Sequence, residues 1–456
     1  MYRTVSLEQT FSEAAEAMAR PAGRRPEFES LEAIAEHRKA FVLACHETWR
    51  VWHGRAIEQI LTFDQFLRLN KAAPVPGGDE FGNRICAVWR KVNDSIVWSL
   101  FGANRWVVKR LCLYRPRTYL TESNASSVLK VLASLNANPM SLALWSDATS
   151  VVDMGDIVYV EDGLRPEPSF IELKEGKVNA EIIELLDLHG EEFAGRFRSF
   201  AQTRGKKGVK QFERVVRQRQ TGQQMGELLS NLRGRDPVTG REIEIVDVGA
   251  DHVPYDETLG ALLEGAAERG SEVCELVEDC IWIYVGGDPK ADRVTAHLRF
   301  RYLLEENGVS LPLSSVNAAH DRDCIVDLQW GNFQPLAKPL FIRTLKPEIV
   351  GALVGGRLLH KVFLYVDWPR FAELCARCGT QFTWSTEKDA RRMRAEPPEL
   401  RAALVRGRVA QIRVEDVRVS VTDPALVQML FDGTPPRAII EHTITSALRL
   451  KSRSLK

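Results

Sequence analysis

Long hydrophobic runs and cysteines are scarce in this sequence of 456 residues. The longest apolar runs, at 281–285 and 362–366, are far shorter than the ~20 residues that a helix needs to cross a bilayer, so no membrane partner is expected. The N-terminal segment MYRTVSLEQTFSEAAEAMARP is polar and partly acidic, so no secretory signal is predicted and a cytoplasmic location is expected. Eight cysteines in a chain of this length do not predict a disulfide framework.

An excess of charge of one sign is also missing, because 61 basic residues balance 61 acidic ones. The overall field therefore favours no polyanion, and any nucleic acid must be bound by a local patch. Neither a Walker A sequence nor a GxGxxG motif opening a helix occurs, which disfavours an enzyme of small phosphorylated substrates. With 45% hydrophobic and 27% charged residues, the composition is that of a globular protein, and the length predicts two or three domains.

The order of predicted elements divides the chain into three parts. Apolar residues at helical spacing over 27–61 and 85–113 predict a helical N-terminal domain, 1–116. A mixed α/β domain over 117–288 is predicted from helices ending near 135, 232 and 269 and from strands at 142–145, 157–160, 170–173, 242–248 and 280–285. A C-terminal α+β domain, 289–456, is predicted with strands at 361–366 and 409–419.

The stretch most suggestive of chemistry is GDIVYVEDGLRPEPSFIELKEGKVN, residues 155–179. Alternate residues of a strand point to one face, so Glu172 and Lys174 are expected to project together. A hairpin centred near Leu164 places Asp156 opposite Glu172, because the two acids are equidistant from that residue. The pattern predicts two carboxylates side by side, with an ammonium group nearby.

Two such carboxylates repel each other unless a cation lies between them. Hard oxygen ligands suit Mg²⁺ or Mn²⁺, which keep bound water and accept phosphate oxygens. A neighbouring lysine stabilises negative charge that develops on a phosphate. The three residue types in this arrangement therefore favour metal-assisted hydrolysis of a phosphodiester.

The arrangement resembles the PD-(D/E)XK nuclease superfamily: Gly155-Asp156 at the start of one strand, Glu172-Leu173-Lys174 on the next, and a helix over 208–232. The resemblance covers only the 117–288 domain, and Gly155 stands where the pattern has proline. It implies a restriction-endonuclease-like mixed sheet flanked by helices and a Mg²⁺-dependent nuclease. Catalytic roles fall on Asp156, Glu172 and Lys174, with the metal held by the two acids. By analogy, DNA is the preferred substrate and a bacterial defence role against foreign DNA is implied.

A basic segment follows the predicted site. Between residues 196 and 219 the sequence holds many lysines and arginines and one acid, Glu213. Such a helix attracts phosphates, although a solvated face is the commoner fate of a charged run. The residues expected to bind nucleic acid are Lys206, Lys207, Lys210, Gln211 and Arg214. For Gln211 the resemblance implies a polar group near the metal, and a plain surface glutamine is the alternative.

Other readings remain open at this stage. The chain could keep the nuclease fold as a non-catalytic nucleic-acid-binding or assembly protein, and a homo-oligomeric state is not excluded. The segment 89–110 mixes aromatic and basic residues as single-strand binders do, but its apolar spacing favours a buried helix stripe. Cys375 and Cys378 have the spacing of half a zinc site and lack a second such pair.

Overall fold

The computed structural model describes residues 7–19, 31–72, 77–112, 119–122, 124–161, 168–173, 176–237, 240–245, 254–286, 293–309, 326–328, 336–354, 361–394, 404–405 and 407–454. The chain forms two compact units. Pro21–Val246 makes the first, here called the site unit. Met1–Arg20 and Asp247–Lys456 together make the second, here called the discontinuous unit, which includes the first helix, α1 (Leu7–Ala19).

Six α-helices are described in the site unit: α2 (Leu31–Ala72), α3 (Gly78–Leu100), α4 (Arg105–Leu111), α5 (Ala125–Leu135), α6 (Lys177–Leu186) and α7 (Gly190–Asn231). The helices α2 and α3 pack along each other. Apolar residues of α3 recur at helical spacing, as in Trp89, Val92 and Ile96, and all three are buried. Most of 89–110 is likewise buried, which confirms the interpretation of that segment as a core stripe.

A three-stranded antiparallel sheet follows the helical layer. Its strands, in spatial order, are β1 (Leu142–Trp145), β2 (Ile157–Val160) and β3 (Pro168–Ile171). In β2 and β3, Ile157 pairs with Ile171 and Val160 with Pro168, the register expected for a hairpin centred on position 164. Strand β1 is buried throughout, and α5 packs against β1 and β2. The strands predicted at 142–145 and 157–160 are therefore confirmed, whereas the strand predicted at 170–173 is observed as Pro168–Ile171, so Glu172 follows β3 instead of lying within it.

The long helix α7 consists of two segments joined at Gly205, whose dihedral angles (φ 60°, ψ −162°) are not helical. The rings of Phe193 and Phe212 lie 6.0 Å apart, although nineteen residues of straight helix would span about 28 Å. The two segments therefore fold back on each other, and their phenylalanines form a cluster with Ile182 and Leu185 of α6. A short hairpin, β4 (Arg233–Arg235) with β5 (Glu242–Glu244), comes next.

The discontinuous unit contains two further antiparallel sheets. The first has the order β6 (Val273–Val277), β7 (Ile281–Gly286), β9 (Lys361–Val366) and β8 (Val326–Asp327). The second pairs β12 (Arg408–Val414) with β10 (Gln381–Trp384), β11 (Leu404–Val405) and β13 (Val417–Ser420). Its described helices besides α1 are α8 (Asp256–Arg269), α9 (Arg293–Glu306), α10 (Pro347–Val354), α11 (Trp368–Arg377), α12 (Glu387–Arg394), α13 (Asp423–Phe431) and α14 (Pro436–Ser454).

The mixed α/β class is confirmed, but the chain divides differently from the expected domains 1–116, 117–288 and 289–456. The predicted strand at 280–285 exists as β7, yet it pairs with β6 and β9 rather than with the sheet of β1–β3. The helical region over 31–111 belongs to the same unit as that sheet. Every strand pair that the model describes is antiparallel, so the mixed sheet implied by the resemblance is not seen there. Residues 246–248 of the predicted strand at 242–248 lie outside the described residues.

In the parts of the chain that the structure covers, no helix combines the length and the apolar character needed to span a bilayer.

Candidate active site

The candidate site lies where β2 begins and β3 ends. One residue beyond the paired positions Ile157 and Ile171 come Asp156 and Glu172, and both are half-buried. Strand alternation places Glu172 on the same face as Phe170. Since Phe170 pairs with Val158, that face is also the face of Asp156. The expected juxtaposition of the two acids at one end of the hairpin is thus consistent with the observed register.

Asp156 is held by three described contacts. Its backbone N–H donates to the Ile171 carbonyl at 2.8 Å, and its own carbonyl accepts from the Ser146 N–H at 2.9 Å. Its carboxylate oxygen Oδ2 accepts from the Leu173 N–H at 2.5 Å. The residue therefore connects β1 and β3, and its carboxylate is directed at the backbone that follows Glu172.

Gly155, directly before Asp156, has a backbone conformation that excludes proline. Its φ is +63°, in the left-handed region, and an added Cβ would lie 3.0 Å from the carbonyl oxygen of Ile171. Proline is locked near −65° and cannot adopt such an angle. Glycine is therefore required at this position by the local backbone.

Helix α7 lies along β3 and brings a polar side chain to the site. A Cβ added at Gly226 would lie 3.3 Å from the carbonyl oxygen of Pro168, and one added at Gly222 would lie 3.7 Å from the Cβ of Phe170. The helix therefore runs close to the strand at both glycines. One turn further towards its N-terminus, Gln218 donates from Nε2 to Glu172 Oε1 at 2.5 Å. The other amide atom, Gln218 Oε1, is buried and has no hydrogen-bond partner among the described residues.

Sequence reasoning missed Gln218 and chose Gln211 instead. Gln211 donates from Nε2 to Asn179 Oδ1 of α6 at 2.8 Å, so its described contact is between helices and not with Glu172. The two glutamines are seven residues apart and share a helix face. That spacing was the available signal, but only the register of α7 on β3 decides which of the two meets the acid.

The basic residues expected to bind nucleic acid lie on the second segment of α7, immediately after the kink. Lys206, Lys207, Lys210 and Arg214 are all exposed. Arg204, just before the kink, is instead bonded to Glu181 through its guanidinium group. The exposed four are thus placed on the surface of the helix that reaches Glu172.

A buried polar chain ties the sheet to the helical layer. The Trp145 N–H donates to His53 Nε2 at 2.9 Å, which leaves the ring proton on Nδ1, 2.9 Å from Asn93 Oδ1. The amide of Asn93 in turn donates to the Ala148 carbonyl at 2.7 Å. Burial lowers the pKa of His53 to about 4, so the ring is neutral at pH 7 and can accept the Trp145 bond.

A buried ion pair holds the same loop a few residues later. The Ser150 N–H donates to Asp94 Oδ1 at 2.6 Å, and Lys91 Nζ lies 3.2 Å from Asp94 Oδ2. Both members of the ion pair are almost completely inaccessible to solvent. Together with the His53 chain, this pair fixes the loop that leads to Asp156.

The oxygen donors at the site suit a magnesium ion. Mg²⁺ is usually bound through one or two carboxylates, with water and phosphate oxygens in the other positions. Asp156 and Glu172 supply two carboxylates at one end of the hairpin. Within the described ranges, no group of three or more His, Cys, Asp or Glu side chains could hold a metal. Lys174, the third predicted catalytic residue, lies outside the described residues.

Compared with protein-family models, curated proteins and solved structures, the chain has no match. What the site can do therefore follows from its own residues and contacts.

Proposed function

We propose that the protein is a metal-dependent nuclease that hydrolyses phosphodiester bonds, with DNA as its substrate. The observation that carries this proposal is the convergence at one sheet end of Asp156, Glu172 and Gln218, the last from a helix with exposed lysines. The restriction-endonuclease-like fold belongs to the same proposal. Its support is the order of α5, β1, β2, β3 and α7, with the acids at the ends of β2 and β3.

Asp156 and Glu172 would hold a Mg²⁺ or Mn²⁺ ion, which when bound neutralises phosphate charge and lowers the pKa of a bound water. The chain's own residues act around it. Gln218 holds Glu172 in one orientation, and the Leu173 N–H does the same for Asp156. Lys174 would stabilise the charge that develops on the phosphate.

The exposed residues Lys206, Lys207, Lys210 and Arg214 would bind the phosphate backbone. Contacts of this kind set position and affinity, and they carry no information about base sequence. Gln211 already donates one amide hydrogen to Asn179, and its second amide hydrogen would be the donor offered to the same surface. A defence role against foreign DNA in the cytoplasm would suit such a nuclease and stays a proposal by analogy.

The first experiment incubates the purified full-length protein with plasmid, linear duplex, single-stranded DNA and RNA, in the presence of Mg²⁺, Mn²⁺ or EDTA. Cleavage of DNA with either metal, and none with EDTA, is expected. Binding without cleavage under every metal condition would contradict the proposal and favour the non-catalytic alternative.

The second experiment compares two matched glutamate variants. Glu172→Gln is expected to reduce cleavage by about 100-fold or more, the scale on which loss of a charged catalytic group acts. Glu161→Gln makes the same change at an exposed residue at the far end of β2 and should cleave like the wild type. The same comparison is made for the amine, with Lys174→Gln as the test variant and Lys177→Gln as its control. Equal cleavage by Glu172→Gln and the wild type would overturn the assignment.

A further inference from the structure

The contacts between α7 and β3 show in which direction the helix runs relative to the strand. Gly226 lies at Pro168, Gly222 at Phe170 and Gln218 at Glu172, so each step of four helix residues matches two strand residues. These steps are nearly equal in length, about 6 Å along a helix and about 6.6 Å along a strand. The helix therefore runs alongside β3 in the opposite direction and continues past Glu172.

The stripe of α7 that meets β3 changes character at Gln218. Towards the C-terminus it continues with Met225 and Leu229, which are buried. Towards the N-terminus it continues with the exposed Arg214, then with Gln211, which is half-buried and bonded to Asn179 of α6, and then with the exposed Lys207. Offsets of four, seven and eleven residues keep a side chain within about 40° of the same helix face. The stripe is thus apolar and covered on one side of the site, and on the other side it carries two exposed cations separated by the half-buried Gln211.

The remaining lysines of this segment point elsewhere. Lys210 and Lys206 precede Gln218 by eight and twelve residues, which turns them about 80° and 120° away from the stripe. Arg214 is the first cation beyond Glu172, about one turn or 6 Å along the helix. Lys207 follows about two turns further on.

On the basis of the nuclease function proposed above, we propose that the bound nucleic acid strand runs along α7 from Gln218 to Lys207. Arg214 and Lys207 then hold phosphates on only one side of the cleaved bond. The other side cannot use this stripe, because there Met225 and Leu229 are buried. Substrate binding is therefore asymmetric about the cleaved bond, and the two cations are binding residues with no part in the chemical step.

The test compares the double variant Lys207→Gln/Arg214→Gln with Arg198→Gln/Arg219→Gln in the full-length chain. The second variant removes the same charge from the same helix. Arg198 is exposed and precedes the kink, and Arg219 is exposed and about 140° around the helix from Arg214.

In the cleavage arm, the cut position in a DNA oligonucleotide is mapped and the substrate is shortened from each end in turn. With the wild type, shortening from one end should raise KM far more than shortening from the other. The test variant should raise KM about tenfold with kcat nearly unchanged, and its two ends should become equivalent. The control variant should keep the wild-type asymmetry. Asymmetry that survives in the test variant, or equal effects of both variants, would overturn the proposal.

The binding arm measures affinity against salt concentration in a Glu172→Gln background, where the proposed function predicts no cleavage. Loss of two phosphate contacts should reduce the log–log slope by about 1.4 to 1.8 in the test variant only. If the slope falls in the test variant but the wild type cleaves no substrate, the proposed binding path is supported and the nuclease function is refuted. If the wild type cleaves DNA but the slope of the test variant is unchanged, the nuclease function is supported and the binding path is refuted. If no binding is detected at all, both proposals are refuted.

Discussion

Two aspartates of the site unit are associated with the loop between β1 and β2, Asp94 by bonding Ser150 within it and Asp156 as its last residue, and they differ in how far they are buried. Asp94 is fully buried, pairs with Lys91 and accepts the Ser150 N–H. Asp156 is half-buried and accepts the Leu173 N–H. A carboxylate without access to water must find its partners inside the protein, so its hydrogen bonds stabilise the fold. A carboxylate that keeps contact with solvent can also bind a ligand.

The comparison predicts opposite phenotypes for the same chemical change. Asp94→Asn should reduce the free energy of unfolding by about 3 kcal/mol, because Lys91 loses a buried carboxylate partner. Asp156→Asn should change it by less than about 1 kcal/mol, since the asparagine carbonyl can still accept the Leu173 N–H. Cleavage should fall about 100-fold or more in Asp156→Asn.

Urea unfolding and the DNA cleavage assay, carried out on both variants, measure the two effects. An Asp94→Asn protein as stable as the wild type would contradict the structural role of Asp94. A markedly less stable Asp156→Asn protein would contradict the prediction that Asp156 contributes little to stability.

The second prediction concerns acid and the buried His53 chain. The pKa of His53 is about 4 in the folded state, against 6.5 for an unperturbed ring, because burial disfavours the charged form. The unfolded chain therefore binds the proton first as pH falls. Stability from the neutral ring is full above about pH 6.5 and decreases towards pH 4, by about 3 kcal/mol in total.

His53→Gln should be less stable than the wild type at pH 7 and should lack this part of the decline between pH 6.5 and 4. The measurement is the free energy of unfolding in urea at a series of pH values for both proteins. Parallel pH profiles would show that His53 is not the titrating group.

The third and smallest effect is expected at Gly155. Gly155→Ala should cost about 1–2 kcal/mol for a left-handed alanine and more for its approach to the Ile171 carbonyl. Gly77→Ala is the matched control, because Gly77 is also left-handed (φ 72°, ψ −2°), but nothing lies within 4 Å of an added Cβ. Thermal unfolding should rank the two variants in that order, and only Gly155→Ala should also lower cleavage. Equal effects of the two would show that the space beside Ile171 has no influence on Asp156.

Local patterns in the sequence were sufficient for the hairpin and its register. Alternating residues and the turn-forming residues of the sequence between 161 and 168 predict that β2 pairs with β3, and the pairing puts Asp156 and Glu172 one residue beyond Ile157 and Ile171. The role of Gln218 was not predictable, because it depends on how α7 slides along β3. Close packing at Gly222 and Gly226 sets that position, and a sequence shows no periodicity for it.

The grouping of elements into units could not be predicted for a similar reason. Strand β7 was predicted correctly, but its pairing with β9 joins residues far apart in the chain. The helical layer was predicted as a separate domain because an apolar stripe indicates that a helix face is buried but not which element buries it. The buried contacts of His53 and Asn93 with the loop after β1 show what covers it. Both cases concern non-local contacts.

The placement of α1 has a consequence for how the chain folds as it is synthesised. Phe11 is completely buried and its ring lies 6.1 Å from that of Phe341, and α1 packs along α10. Both partners of α1 leave the ribosome only after the whole of Pro21–Val246 has emerged. The apolar face of α1 must therefore wait, uncovered by its final neighbours, while the site unit completes its own fold. A fragment that begins at residue 247 would lack this helix and expose the surface it covers.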